Sequence, residues 1–118
     1  MQDFKDLIVW QKAYHLSLLS YQFTSTFPSS EQFGLTNQIR RCAASITANI
    51  AEGRGRGSDA DFRRFIQMAI GSVCELECHL MLARDLNFLK DNDFNQIIEN
   101  ITEVRKMLIA LRQRLQSS

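Results

Sequence analysis

Residues 58–86 read SDADFRRFIQMAIGSVCELECHLMLARDL, and within them Phe62, Ile66, Ala69, Val73, Leu76, Leu80 and Ala83 recur at spacings of 4, 3, 4, 3, 4 and 3. Side chains so spaced fall on one stripe of an α-helix, because about 3.6 residues complete a turn. The spacing predicts one long helix packed along that stripe. Ser58 is placed to cap it, Asp59 and Asp61 sit at the positive end of its dipole, and the pattern runs to about Leu86.

The same period appears on both sides of this stretch. Phe94, Ile97, Ile101, Val104, Leu108, Leu111 and Leu115 repeat it after the polar break Lys90–Asp93. Upstream, Leu35, Ile39, Cys42, Ile46 and Ile50 carry it until Gly53-Arg54-Gly55-Arg56-Gly57, where the glycines are expected to stop the helix. Before Pro28, Val9, Ala13, Leu16, Ser20 and Phe23 make one stripe and Trp10, Tyr14, Ser17 and Tyr21 a second. With Gly at 5 and Pro at 1 there are too few turn residues for a sandwich or barrel. Four helices joined by short links give an all-α, antiparallel up-down-up-down four-helix bundle, one domain over residues 1–118.

Lys plus Arg is 14 and Asp plus Glu 13, so the net charge of +1 excludes a broadly basic or acidic protein and any charged function must be local. The longest uninterrupted apolar run is the five residues Met107–Leu111, no basic-then-apolar leader opens the chain, and the three cysteines are an odd number. A cytoplasmic protein with no membrane partner is the expectation.

The first helix is apolar or aromatic over a wider arc than one bundle seam needs. Trp10, Tyr14 and Tyr21 are residue types enriched at interfaces, which marks them as candidate oligomer contacts; the alternative is that residues near Phe27 and Phe33 cover them within the chain. Residues 40–64 hold six Arg against Glu52, Asp59 and Asp61, a net +3, while residues 75–103 hold two basic and seven acidic side chains, a net −5. Such ends attract head to tail, and a head-to-tail contact closes as a ring when its rotation permits.

The second helix carries Gln38, Arg41, Ser45, Asn49 and Glu52 on one face. Folding helices two and three about a turn at Gly55 sets Gln38 opposite Ser72 and brings Arg41 toward Glu75. The expectation is a buried polar network of Gln38, Arg41, Ser45, Asn49, Glu52, Ser72 and Glu75, with an Arg41–Glu75 pair and with Gly71 and Ser72 letting the helices approach. Glu52, at the unfavourable end of its helix dipole, would be held by Arg54, Arg56 or N–H groups of the glycine turn, or simply be solvated. Catalysis by this seam would need a second carboxylate close to Glu52, and Glu75 is the one available.

Gly53-Arg54-Gly55-Arg56-Gly57-Ser58 opens a helix and could hold a phosphate, but it follows a helix and lacks the lysine of a P-loop. With Arg40, Arg63 and Arg64 nearby, Arg40, Arg54, Arg56, Arg63 and Arg64 are candidates for contact with a nucleic-acid backbone; a flexible turn with solvated arginines is the alternative. Cys74, Cys78 and His79 lack a fourth ligand for a metal and are expected to be packed thiols. No metal, no cofactor and no catalytic triad is expected.

Val9-Trp10-Gln11-Lys12-Ala13, Phe27-Pro28, Gly34-Leu35-Thr36, Ile39-Arg40-Arg41, Asn49-Ile50-Ala51-Glu52-Gly53 and Gly71-Ser72 followed by Glu75-Leu76-Glu77 together resemble a known family. It is that of the small bacterial four-helix bundle proteins encoded within intervening sequences of 23S ribosomal RNA genes. The likeness also extends to the accessory protein of diversity-generating retroelements. The resemblance implies a cyclic homopentamer with no enzymatic activity and a link to nucleic acid, and it marks Arg40, Arg41, Ser45, Asn49, Glu52, Gly53, Ser72 and Glu75. The resulting expectation is a non-enzymatic, pentameric bundle that binds RNA or DNA or sits in a ribonucleoprotein; the alternative is a protein–protein scaffold.

Overall fold

The computed structural model of the protein describes residues 3–117, and among these there are four α-helices and no strand. They are α1 (Ile8–Thr24), α2 (Leu35–Gly55), α3 (Asp59–Asp85) and α4 (Asp91–Ser117), with one-turn 3-10 segments at Phe4–Asp6 and Ser29–Glu31. Each helix packs on its neighbours in sequence and α1 closes on α4, while α1 and α3, like α2 and α4, lie diagonally apart. The bundle measures 45 × 23 × 20 Å. Its core is formed by the expected stripes: all seven residues from Phe62 to Ala83 are buried, as are Leu16, Ile39, Ile46, Ile50, Ile97, Ile101, Val104 and Leu108.

Local chemistry fixes the helix ends. Ser58 Oγ accepts from Asp61 N at 3.1 Å, the expected cap. Glu31 Oε1 accepts from Leu35 N at 3.2 Å and caps α2 with a carboxylate at its positive end. Asn87 closes α3 at φ 65°, a left-handed position that Asn tolerates, with Phe88 N donating to Ala83 O at 2.9 Å and Asn87 N to Arg84 O at 3.0 Å. The closure turns Phe88 onto Phe27, ring centroids 5.8 Å apart, which ties the α3–α4 link to the α1–α2 link.

The glycine run ends α2 as expected: the helix reaches Gly55 and the left-handed turn comes at Gly57, φ 92°. Gly53 is buried against α3, where a Cβ would stand 2.5 Å from Phe65 Cβ. Its missing side chain therefore serves helix contact rather than helix ending. Gly71, expected to fill that role, is exposed, and a Cβ there would meet nothing within 4 Å.

By length and composition α3 is also apolar enough to cross a membrane, yet only 33% of its most apolar stretch is buried in the chain. The remainder includes Met68, Met81 and Leu82, all 43–49% exposed. Arg64, Met68, Gly71, Glu75, Cys78 and Leu82 form an exposed stripe at spacings of 4, 3, 4, 3 and 4, on the side of α3 opposite its core seam. On α1, Tyr14, Leu18 and Tyr21 form a similar exposed stripe, with Ile8 beside it. Two outward faces on diagonal helices thus point away from each other.

Candidate functional site

The α2–α3 contact brings the polar residues of both helices to one seam, in a register set by the longer α2. Ser45 faces Ser72 and Cys42 faces Glu75. This is roughly two helical turns from the pairing of Gln38 with Ser72 that a turn at Gly55 would impose. The hydroxyls join in a chain. Asn49 Nδ2 donates to Ser45 Oγ at 3.0 Å and to Ser45 O at 2.9 Å, Ser45 Oγ lies 3.0 Å from Ser72 Oγ, and Ser72 Oγ donates to Met68 O at 3.3 Å. Either hydroxyl can donate across the Ser45–Ser72 contact.

The rest of the expected buried network is at the surface. Gln38, Arg41, Glu52 and Glu75 are exposed and Ser45, Asn49 and Ser72 half-buried, because the seam forms the floor and walls of an open groove. The groove is about 550 Å³ in volume and is lined by Phe33, Asn37, Gln38, Arg41, Cys42, Ser45, Ser72 and Glu75. Arg41 and Glu75 share this groove without forming an ion pair. Glu75 instead accepts from the Cys42 thiol and lies beside His79. Glu52 pairs with Arg56 at 3.5 Å, just past the end of its helix. Since Glu52 stands about ten residues, roughly 15 Å, beyond Cys42 along α2, it does not meet Glu75, and no carboxylate pair forms there.

Burial, and then the hydrogen bond to Glu75, pushes the Cys42 thiol from 9.0 up to about 12. The native state holds this proton more tightly than the unfolded chain does. Its contribution to stability is therefore complete below pH 9.0 and is lost as the pH rises through 12. Cys74 and Cys78, expected to be packed, are exposed because the core seam of α3 passes between them on its other side. Iodoacetamide at neutral pH is expected to label Cys74 and spare Cys42, with all three cysteines labelled in denaturant. Mass spectrometry of the native and denatured protein checks this, and native labelling of Cys42 at the rate of Cys74 would contradict the burial described.

The candidate arginines divide into two groups. Arg40 is tied down near the start of α2, donating to Thr24 Oγ1 at 2.9 Å and lying 4.6 Å from the centroid of the Tyr21 ring. It stands about 20 Å along α2 from Arg54 and leaves the patch, because the two arginine runs occupy opposite ends of one helix. At the other end Arg56 and Arg64 flank the ring of Phe65, at 5.0 and 4.6 Å from its centroid, and Arg54 lies 5.7 Å from that of Phe62. Phe65 is 5% exposed yet sits outside the main core cluster, with these two guanidinium groups against it. Arg63 is exposed beside them.

The antiparallel α4 returns its own C-terminal arginines to this end. Arg112 Nη1 donates to Gln67 Oε1 at 2.7 Å, and Arg114 follows about half a turn on. No nearby sequence position flagged them, since proximity to α3 depends on the whole bundle. The glycine turn itself is a poor anion cradle. Its first N–H groups are used inside α2, Ser58 takes the Asp61 N–H, and Asp59 and Asp61 add negative charge at the start of α3.

Among the aromatic interface candidates, Trp10 is half-buried, stacked on Tyr14 at 5.0 Å and edge-on to Phe4 at 5.1 Å. Tyr14 and Tyr21 remain 49% and 48% exposed. Phe27 turns inward and Phe33 is 89% exposed, so these two rings do not shield them.

A solved structure shares this architecture. It is a protein of unknown function from the S23 ribosomal protein family of Bacteroides thetaiotaomicron VPI-5482, 27% identical, with a TM-score of 0.80 over 89% of this chain and 98% of that one. No curated protein matches. The family model of the 23S rRNA-intervening sequence protein matches residues 5–110, which include α1, α2, α3, the groove and the arginines from Arg54 to Arg64 and stop short of the last turns of α4. On that match, the chain belongs to the 23S rRNA-intervening sequence protein family.

Proposed function

We propose that this protein is a non-enzymatic subunit of a homo-oligomeric ring, five-membered by its resemblance to the pentameric bundles, that binds RNA through the arginine end of each copy. The observation that carries the reading is the pair of outward apolar faces on the diagonal helices α1 and α3. Two unlike faces on one chain suit a heterologous, head-to-tail contact, which closes as a ring when its rotation permits and otherwise grows as a filament. Copies related by rotation about an axis along the bundle all point the same way. Arg54, Arg56, Arg63 and Arg64 of every copy then collect on one rim, where their effect on a phosphate backbone multiplies. The family's link to 23S rRNA intervening sequences supports RNA as the ligand.

The test is light scattering coupled to size exclusion, followed by fluorescence titration with structured RNA at two salt concentrations. The expected mass is a multiple of 13.6 kDa, and the expected binding is saturable and weakens with salt. Arg56→Ala with Arg63→Ala should lower the slope of log affinity against log salt by roughly 0.7–0.9 per arginine and copy engaged, while Arg40→Ala leaves it unchanged. An intact ring without salt-sensitive RNA binding would overturn the nucleic-acid half of the proposal and favour a protein scaffold.

A further inference from the structure

The polar seam holds a constellation that RNA binding does not use, at the edge of the outward α3 face where Glu75 turns toward α2. The Cys42 thiol sulfur, a carboxylate oxygen of Glu75 and a ring nitrogen of His79 all lie within 4.8 Å of one another. Glu75 and His79 are one helical turn apart on α3 and project to the same side, where Cys42 meets them from α2. His79 Nε2 is buried and makes no hydrogen bond among the described residues. Glu75 Oε2, 3.7 Å away, is beyond hydrogen-bond reach. A buried nitrogen left this way is costly unless something meets it.

We propose that Cys42, Glu75 and His79 form a three-ligand site for Zn²⁺, with the fourth position open to water in the α2–α3 groove. The donor set selects the metal. One sulfur, one imidazole and one carboxylate suit a borderline-soft divalent ion and not Mg²⁺ or Ca²⁺, which take oxygen alone. Thiolate and carboxylate together neutralise the dication, so the bound site adds no net charge to a half-buried seam.

The geometry is close to what tetrahedral zinc needs. Bonds of roughly 2.0–2.3 Å place neighbouring ligand atoms about 3.3–3.7 Å apart. The Glu75 oxygen is already 3.7 Å from His79 Nε2, its 61% exposed side chain has the freedom to withdraw about 1 Å from the Cys42 thiol, and Cys42 and His79, within 4.8 Å of each other, close by about 1.5 Å at most. Its exposure also gives the ion a way in. Cys74 and Cys78, adjacent in sequence but on the outer surface, take no part.

The test uses the full chain, stripped with a chelator and titrated with Co²⁺, which reports tetrahedral thiolate ligation through a charge-transfer band in the near ultraviolet and d–d bands in the visible. One Co²⁺ per chain, displaced by Zn²⁺, is expected. Cys42→Ser should abolish the charge-transfer band, and Glu75→Gln and His79→Ala should each weaken binding at least 10-fold. The Cys74→Ser/Cys78→Ser double variant should bind as the parent does. Circular dichroism establishes that each variant is helical, and Glu75→Gln, altered at an exposed carboxylate, keeps the test decisive if Cys42→Ser does not fold. Absence of a stoichiometric Co²⁺ signal in the parent protein would overturn the site. So would a signal that survives Glu75→Gln unchanged or disappears in the double variant.

Discussion

Gly53→Ala is expected to destabilise the bundle by about 1–3 kcal/mol, a fall in Tm of roughly 5–15 °C for a domain of this size. The sign is opposite to the ordinary effect, since replacing a helical glycine with alanine usually adds up to about 1 kcal/mol through backbone entropy alone. Here the new methyl would stand 2.5 Å from Phe65 Cβ and 3.1 Å from Phe62 Cδ1. Phe65 Cβ is fixed to its own backbone, so no rotamer change relieves the overlap and α2 must move off α3. That movement also disturbs the stacking of Arg56 and Arg64 on Phe65. Gly71→Ala, with open space around it, is the matched control and should be neutral or stabilising. Thermal melts of the two variants side by side check the prediction, and equal Tm values would show that the helices do not need Gly53 at their contact.

The second large effect concerns assembly. Leu18→Glu and Leu82→Glu each put a charge into one of the two outward faces, at positions 55% and 49% exposed in the single chain. Loss of a buried leucine costs about 1.5–3 kcal/mol, and an unpaired carboxylate at a closed contact costs more, so each interface should weaken on the order of 100-fold or beyond. Each variant alone is expected at 13.6 kDa. Mixed together they should do something neither does alone. The intact α3 face of one fits the intact α1 face of the other, and the pair stops at twice the single-chain mass because both remaining faces are blocked. A face that pairs with itself would give a different result, with one variant still dimeric and no gain on mixing. Light scattering of each sample and of the mixture decides between them.

The parts of the fold that were legible in the sequence are those that depend on one helix at a time. The stripe from Phe62 to Ala83 predicts burial because periodicity alone decides which side chains share a face, and Ser58 predicts its own capping bond from its place before two acidic residues. What depended on two helices was less legible. Gly53 reads equally well as the end of a helix or as a point of close contact, and only the position of Phe65 on the partner distinguishes them. Placing the fold-back at Gly55 set Gln38 opposite Ser72 where Ser45 stands, a shift of about two turns in the α2–α3 register. The same limit separated Cys42 from His79, whose neighbours in sequence, Cys74 and Cys78, point elsewhere. The outward stripe of α3 was readable in principle. Met68, Gly71, Cys78 and Leu82 keep a strict helical spacing, but with Arg64 and Glu75 among them the stripe passes for an ordinary solvated surface.

Phe65, held between Arg56 and Arg64, has a thermodynamic consequence for any anion that docks there. A long arginine normally surrenders up to about 2 kcal/mol of rotamer freedom when a ligand immobilises it. These two already rest against the Phe65 ring and beside Glu52 and Asp61, so part of that freedom is lost on folding, and an arriving phosphate would compete with those carboxylates for them. Recognition at such a rim is expected to show a smaller entropic penalty per contact than at a rim of loose lysines.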